Sequence, residues 1–266
     1  MLRFFSLSSG SCGNCYYLGT EDTGILIDAG VSLRSVSKVF KANDVDMDSV
    51  CGILVTHTHL DHVRSLGSFC KKLHKPVYTT STIAGALARH RAIGDTSGLC
   101  RDITLPETAS MLTGIKVRTF EVPHDAVQTV GYSIEMSGHR FVIMTDIGRM
   151  TDEAMSYAAE ADTLVIESNY DIDMLMAGPY TYDLKMRIVR GNGHLSNDEC
   201  ASSLKRIASA NPGLKNIFLC HLSENNNTPE KAYAASSQAL SEAGVPAGTI
   251  QLRCLPRRFP SQVFFL

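Results

Sequence analysis

Three histidines and an aspartate fall within six residues, His57-Thr58-His59-Leu60-Asp61-His62, directly after the apolar run Val50–Thr56. The run reads as a buried strand. The cluster therefore sits at a strand end, where four titratable side chains have no packing purpose. In extended backbone, residues i and i+2 face the same way, so His57 and His59 can hold one cation between them. The chain is expected to turn into a helix at Asp61, a good N-cap, and to stay helical to about His74, before Pro76. Asp61 and His62 can then face a second cation. Imidazole nitrogens and carboxylate oxygens suit zinc, iron or manganese.

Later strand ends repeat the device. His124 follows the run Lys116–Val122, Asp146 ends Arg140–Thr145, and His221 ends Asn216–Cys220. Any one of them alone would be a cap or a surface residue. Together with the cluster they read as a seven-ligand, two-metal set: His57, His59, Asp61, His62, His124, Asp146 and His221.

The remaining pattern is that of one mixed α/β domain over residues 1–266. Strands are expected at Leu2–Leu7, Cys15–Leu18, Gly24–Asp28, Val77–Thr80, Val130–Met136, Thr163–Glu167 and Thr249–Cys254. Helices are expected at Ser32–Lys41, Thr82–His90, Asp152–Ala159, Asn197–Ser209 and Pro229–Ala243, with a mixed stretch from 168 to Gly193. Strands followed by strand–helix alternation suggest sheet on sheet with helices outside. Hydrophobic residues make up 44% of the chain and charged residues 20%, enough to bury a core without staples. No run has the length and apolarity of a membrane span. The segment Met1–Ser6 reads as a strand rather than a signal peptide, so the expected location is the cytoplasm, with no membrane partner. Eight cysteines then read as reduced thiols, and Cys12-x-x-Cys15 lacks the second pair that a structural zinc site needs. A net charge of −2 and a pI of about 6.5 exclude a globally basic nucleic-acid-binding domain. Nothing in the composition sets an oligomeric state.

The pattern His-x-His-x-Asp-His at 57–62, with a His, an Asp and a His downstream, resembles the metallo-β-lactamase superfamily. The likeness runs from Gly24-Ile25-Leu26-Ile27-Asp28-Ala29-Gly30 to the final strand. It implies an αββα sandwich of two mixed β-sheets flanked by helices. It also implies two divalent cations, zinc or manganese with iron as a further option. His57, His59 and His124 would hold one, Asp61, His62 and His221 the other, and Asp146 would bridge them. Asp28 would support the ligand loop without ligating. Four segments narrow the resemblance to the YycJ/WalJ branch, described as 5′–3′ exonucleases on DNA: Ser8-Ser9-Gly10-Ser11-Cys12-Gly13-Asn14-Cys15-Tyr16-Tyr17, Glu167-Ser168-Asn169-Tyr170-Asp171, Gly193-His194-Leu195-Ser196-Asn197 and His221-Leu222-Ser223-Glu224-Asn225-Asn226. The same features are similar to those of tRNA 3′-processing endonucleases. There a His paired with a Glu assists the leaving group, and His194 and Glu167 match that pair.

The implied reaction is phosphodiester hydrolysis, in which a metal-bridging hydroxide attacks phosphorus and His194, oriented by Glu167, assists departure of the ester oxygen. Asp61, Asp146, Glu167 and His194 are the catalytic candidates, and DNA is the expected partner. Ser9 and Asn14 in the Gly/Ser-rich segment, Ser196 before a helix and Asn225 are candidate substrate contacts, although a tight turn or a loop end explains them as well. The alternative is a small-molecule hydrolase of the same fold: a cyclic nucleotide phosphodiesterase, a thioesterase or a lactonase.

Overall fold

The computed structural model describes residues 1–96, 98–104 and 114–266. The chain divides into two units. The first comprises Met1–Thr119, Glu135–Gly138 and Pro256–Leu266, and the second Phe120–Ile134 and His139–Leu255. The strands in chain order are β1 (Arg3–Gly10), β2 (Gly13–Gly19), β3 (Gly24–Ile27), β4 (Val50–Leu54), β5 (Val77–Thr79), β6 (Cys100–Asp102), β7 (Ile115–Glu121), β8 (Val130–Met136), β9 (His139–Met144), β10 (Thr163–Glu167), β11 (Asn216–Cys220), β12 (Gln251–Cys254) and β13 (Phe264–Phe265). They form two mixed sheets, ordered β13-β1-β2-β3-β4-β5-β6 and β12-β11-β10-β9-β8-β7, and helices flank them, as the α/β reading expected.

In the first unit, β1, β2 and β3 pair antiparallel, and β3 to β6 pair parallel. Parallel strands need crossovers, and helices α1 (Leu33–Ala42), α2 (Leu60–Val63), α3 (Leu66–Leu73) and α4 (Ser81–Ala88) belong to these connections. Ser32 caps α1 by accepting from the Ser35 N–H. Val36 and Phe40, four residues apart, form its buried face. The Phe40 ring meets Phe5 and Tyr17 edge-on, with centroids 5.9 and 4.9 Å away. That geometry adds to the burial of three large rings.

In the second unit, β9 to β12 run parallel. The helices are α5 (Asp152–Ala158), α6 (Ile172–Ala177), α7 (Tyr182–Val189), α8 (Asn197–Ala210) and α9 (Pro229–Glu242). The core is aliphatic: Val142, Met144, Leu164 and Ile166 from the strands meet Leu204 and Ile207 of α8. Ser137 and Gly138, both at positive φ (53° and 75°), turn β8 into β9. Positive φ at both positions is what a two-residue hairpin turn requires.

One expectation is corrected. A single helix from Asp61 to His74 does not form. His59, not Asp61, is the N-cap of the one-turn α2, and α3 starts anew after Ser65. The cause is local. The Ser65 N–H, which a continuing helix would send to the Asp61 carbonyl, donates instead to Ala29 O at 2.9 Å. The mixed stretch after β10 contains two helices, α6 and α7, each capped by its own residue, Asp171 and Thr181.

Asp162 ties the start of β10 to its neighbours. Its carboxylate accepts from the Arg140 N–H (2.9 Å) and from Lys215 Nζ (3.2 Å), and its carbonyl accepts from the Lys215 N–H (2.9 Å). Burial opposes its charge, but the Arg140 N–H and then Lys215 outweigh burial and hold the carboxyl below its ordinary value. A depressed folded-state pKa gives stability that is present above the unfolded value near 4 and lost as pH falls through the folded one. Asp162→Asn should therefore lower unfolding free energy at pH 7 by about 1 kcal/mol, with the deficit closing below about pH 4. Urea unfolding across pH 3–7 checks this, and an equal deficit throughout would show that the charge is not used.

Candidate metal centre

The first unit assembles one group of ligands around Asp28. Asp28 directly follows β3 at φ 61°, a left-handed backbone that costs a non-glycine residue roughly 1–2 kcal/mol. Its neighbours fix it: the Asp28 N–H donates to Leu54 O (2.8 Å), and the Ala29 N–H donates to His62 O (2.7 Å). Gly30 completes the clamp, since a Cβ there would overlap the Asp61 carbonyl oxygen. The buried Asp28 carboxylate accepts from the Thr56 N–H (2.9 Å), the Thr56 hydroxyl (2.9 Å) and His62 Nδ1 (2.7 Å). Because the Thr56 hydroxyl spends its proton on Asp28, it accepts from His57 Nδ1 at 3.0 Å. Both imidazoles therefore carry their proton on Nδ1 and keep the Nε2 lone pair for a cation. The rings lie together, with His57 centroids 4.7 Å from His59 and 4.1 Å from His62.

Ser9 and Asn14 face this group from the side. Ser9 Oγ is 2.9 Å from Tyr16 Oη, which donates to Asn14 Oδ1 at 3.2 Å. That bond orients the Asn14 amide, whose Nδ2 lies 3.2 Å from Asp61 Oδ2 and 2.8 Å from His62 Nε2. Ser9 and Asn14 are both fully buried. Asn14 engages the ligand group directly, and Ser9 reaches it through Tyr16.

The second unit assembles the other group around Glu167, the last residue of β10. This fully buried carboxylate takes four hydrogen bonds. Oε1 accepts from His194 Nδ1 (2.7 Å) and His221 Nδ1 (3.0 Å), and Oε2 accepts from the Ile147 N–H (2.9 Å) and the Leu195 N–H (3.1 Å). The pairing of Glu167 with His194 matches the sequence reading, and the bond to His221 is new. Burial works against the charge of Glu167, but His194 and the imidazole hydrogen bonds prevail, so its carboxyl titrates below the ordinary value. Conversely, burial disfavours the charged form of His194, but Glu167 and then Asp146 raise its pKa above the ordinary histidine value. His221 sits at φ 52°, held there by Asn169 Nδ2 on its carbonyl at 2.7 Å. His124 Nδ1 lies 2.7 Å from the Gly193 carbonyl, which can only accept, so His124 also presents Nε2. Asp146, 2% exposed, places Oδ1 3.6 Å from His124 Nε2, 3.5 Å from His221 Nδ1 and 3.8 Å from His194 Nδ1. Ligand atoms of Asp146, Glu167, His194 and His221 all lie within 4.8 Å of one another.

The other two candidate substrate contacts have partners of their own. The Ser196 hydroxyl is engaged in a capping box with Glu199 at the start of α8. Asn225 is exposed and bonds Tyr180 Oη at 3.1 Å.

The donor set fits a divalent cation of the borderline class: neutral imidazole Nε2 atoms fixed by hydrogen bonds at Nδ1, with carboxylate oxygens beside them. His62 Nε2 and Asp61 Oδ2 are 3.5 Å apart, and His124 Nε2 and Asp146 Oδ1 are 3.6 Å apart. Bonds of about 2.0–2.2 Å at tetrahedral angles put donors about 3.3–3.6 Å apart. A cation on His62 Nε2 would displace the Asn14 amide from that atom.

A family model described as "Beta-lactamase superfamily domain" matches residues 23–215. The exodeoxyribonuclease YycJ of Bacillus anthracis is 34% identical over 247 residues, covering 93% of this chain and 92% of the relative. The exodeoxyribonuclease WalJ of Streptococcus pneumoniae serotype 2 is 30% identical over 246 residues, covering 92% and 91%. Among solved structures, the metallo-β-lactamase fold protein YhfI from Bacillus subtilis aligns with a TM-score of 0.69 at 16% identity, over 98% of this chain and all of that one (100%). No helix among the described residues is long and apolar enough to cross a membrane.

Proposed function

This chain belongs to the β-lactamase superfamily, in the family of the YycJ and WalJ exodeoxyribonucleases, and is a metal-dependent hydrolase; we propose that it cleaves phosphodiester bonds of DNA from the 5′ end, in the cytoplasm, as one catalytic domain. The observation that carries the reading is the Glu167 carboxylate shared by His194 and His221 (2.7 and 3.0 Å). It joins a proton-handling histidine to a candidate metal ligand, a link with no evident use in a protein that only binds metal.

Two cations, zinc or manganese with iron as a further option, are assigned on the family's ligand pattern. His57, His59 and His124 would hold one, Asp61, His62 and His221 the other, and Asp146 would serve both. When bound, they supply an activated water and neutralise charge on the phosphate. The protein's own residues do the rest. Glu167 accepts the Nδ1 proton of His194, so the side chain, 24% exposed, offers Nε2 outward. The neighbouring Glu167 carboxylate favours the charged form of His194, which can supply a proton to the departing ester oxygen.

The test is to load chelator-stripped protein with manganese and offer it single- and double-stranded DNA labelled at the 5′ end. Labelled mononucleotide is expected as the first product. Hydrolysis confined to thioesters, lactones or cyclic nucleotides would overturn the reading, and internal cuts without early mononucleotide would overturn its polarity.

A further inference from the structure

The first unit holds a cavity of about 700 Å³ that the metal chemistry does not use. Its volume is in the range of about 300–1,000 Å³ usual for small-ligand sites. Four separate stretches of chain build it. Ser35, Lys38, Val39 and Ala42, at helical spacing, give it one face of α1. Arg64 and Ser65 enter from the break between α2 and α3, Cys12 from the β1–β2 turn, and Arg258 and Pro260 from the segment before β13.

The lining has two characters. Lys38, Arg64 and Arg258 bring three cations, Ser32, Ser35 and Ser65 bring hydroxyls, and none of the lining residues among those described is acidic. Leu7, Val31, Val39 and Pro260 supply an apolar wall. Among the described residues Lys38 forms no ion pair, and the Arg64 guanidinium donates to the Cys12 carbonyl at 3.4 Å. Cations and hydroxyls beside an apolar wall suit a ligand that is anionic at one end and apolar at the other. Gly30, on the cavity wall, packs against the carbonyl of Asp61, so the cavity borders the ligand segment of its own unit.

We propose that this cavity binds a phosphorylated nucleoside, with the phosphate toward Lys38, Arg64 and Arg258 and the base against the apolar wall. The inference rests on the reading that the protein acts on DNA, and extends it. The same chemistry has two sources: a nucleotide unit of the bound strand, or the free mononucleotide released by hydrolysis.

The experiment needs no catalysis. In chelator, anisotropy of a labelled single-stranded oligonucleotide reads strand binding. Protection of Cys12, an exposed thiol on the cavity wall, from iodoacetamide reads occupancy by a deoxynucleoside monophosphate. For the strand, Lys38→Glu and Arg258→Glu should each weaken binding about tenfold and flatten its salt dependence. For the mononucleotide, millimolar ligand should slow Cys12 alkylation several-fold in the wild type and in neither variant. Effects on the strand alone assign the cavity to DNA, and effects on the mononucleotide alone assign it to product; either supports the proposal. Variants that melt like the wild type yet bind both probes as it does would overturn it. So would equal protection by inorganic phosphate, which leaves the apolar wall uncovered. Because binding is read without metal, a protein that fails to cut DNA would overturn the nuclease reading while leaving this result standing.

Discussion

Replacing Asp146 by alanine is expected to remove a cation and to lower DNA hydrolysis by about 10³-fold or more, a loss of about 4 kcal/mol of transition-state stabilisation. The carboxylate is 2% exposed at the end of β9, and its Oδ1 faces three imidazoles at 3.5–3.8 Å. Without it, His124 and His221 would share no anion to offset a bound cation. Removing one charge from a buried ionic cluster costs far more than the cluster contributes net. Asp146→Asn, which keeps the shape and loses the charge, should fall between the two. Metal content by mass spectrometry, turnover on DNA and thermal unfolding must be read together. Unchanged metal content and turnover in a folded Asp146→Ala protein would end the two-metal proposal.

The candidate ligands stood out because they lie at the ends of apolar runs, and the ends of β10 and β11 fall where the sequence places them, at Glu167 and Cys220. The supporting contacts were not. Asp28 meets His62 across 34 residues, Asn14 meets the same ring across 48, and Glu167 meets His221 across 54. No local periodicity reports such pairs. Asn14 shows the consequence. A Gly/Ser-rich segment suggests a phosphate loop, but here it forms the facing ends of β1 and β2, where Gly10 pairs Gly13 and Ser9 pairs Asn14. The register turns Asn14 onto Asp61 and His62. Asp61 misled in a similar way. Its residue type is a good cap, but its carboxylate is engaged by Asn14 and its carbonyl is pressed by Gly30, so His59 takes the cap position. The helix starts expected at Asp152, Asn197 and Pro229 are those observed, each after a capping residue, Thr151, Ser196 or Thr228.

Glu167→Gln should do more damage than His194→Ala, although His194 is the residue proposed to serve the leaving group. A glutamine offers one carbonyl oxygen and one NH₂, whereas Glu167 meets donors on both oxygens. If the glutamine oxygen stays on the Ile147 and Leu195 N–H groups, its NH₂ faces Nδ1 of both His194 and His221. Those rings must then move their proton to Nε2, and His221 loses the lone pair it would give to a cation. If the glutamine flips, two buried backbone N–H groups lose their acceptor, at about 1–3 kcal/mol each. Either outcome should lower metal affinity about 10- to 100-fold, in addition to the loss of acid assistance. His194→Ala should keep both metals and slow turnover by about 10²–10⁴-fold, the usual range for a proton-transfer group. In the double variant the second substitution should add little to turnover, because His194 without Glu167 is already misoriented. A Glu167→Gln protein with full metal content and the turnover of His194→Ala would confine Glu167 to orienting His194. Loss of a metal in His194→Ala would instead make His194 a ligand, and the leaving-group role would pass to another residue.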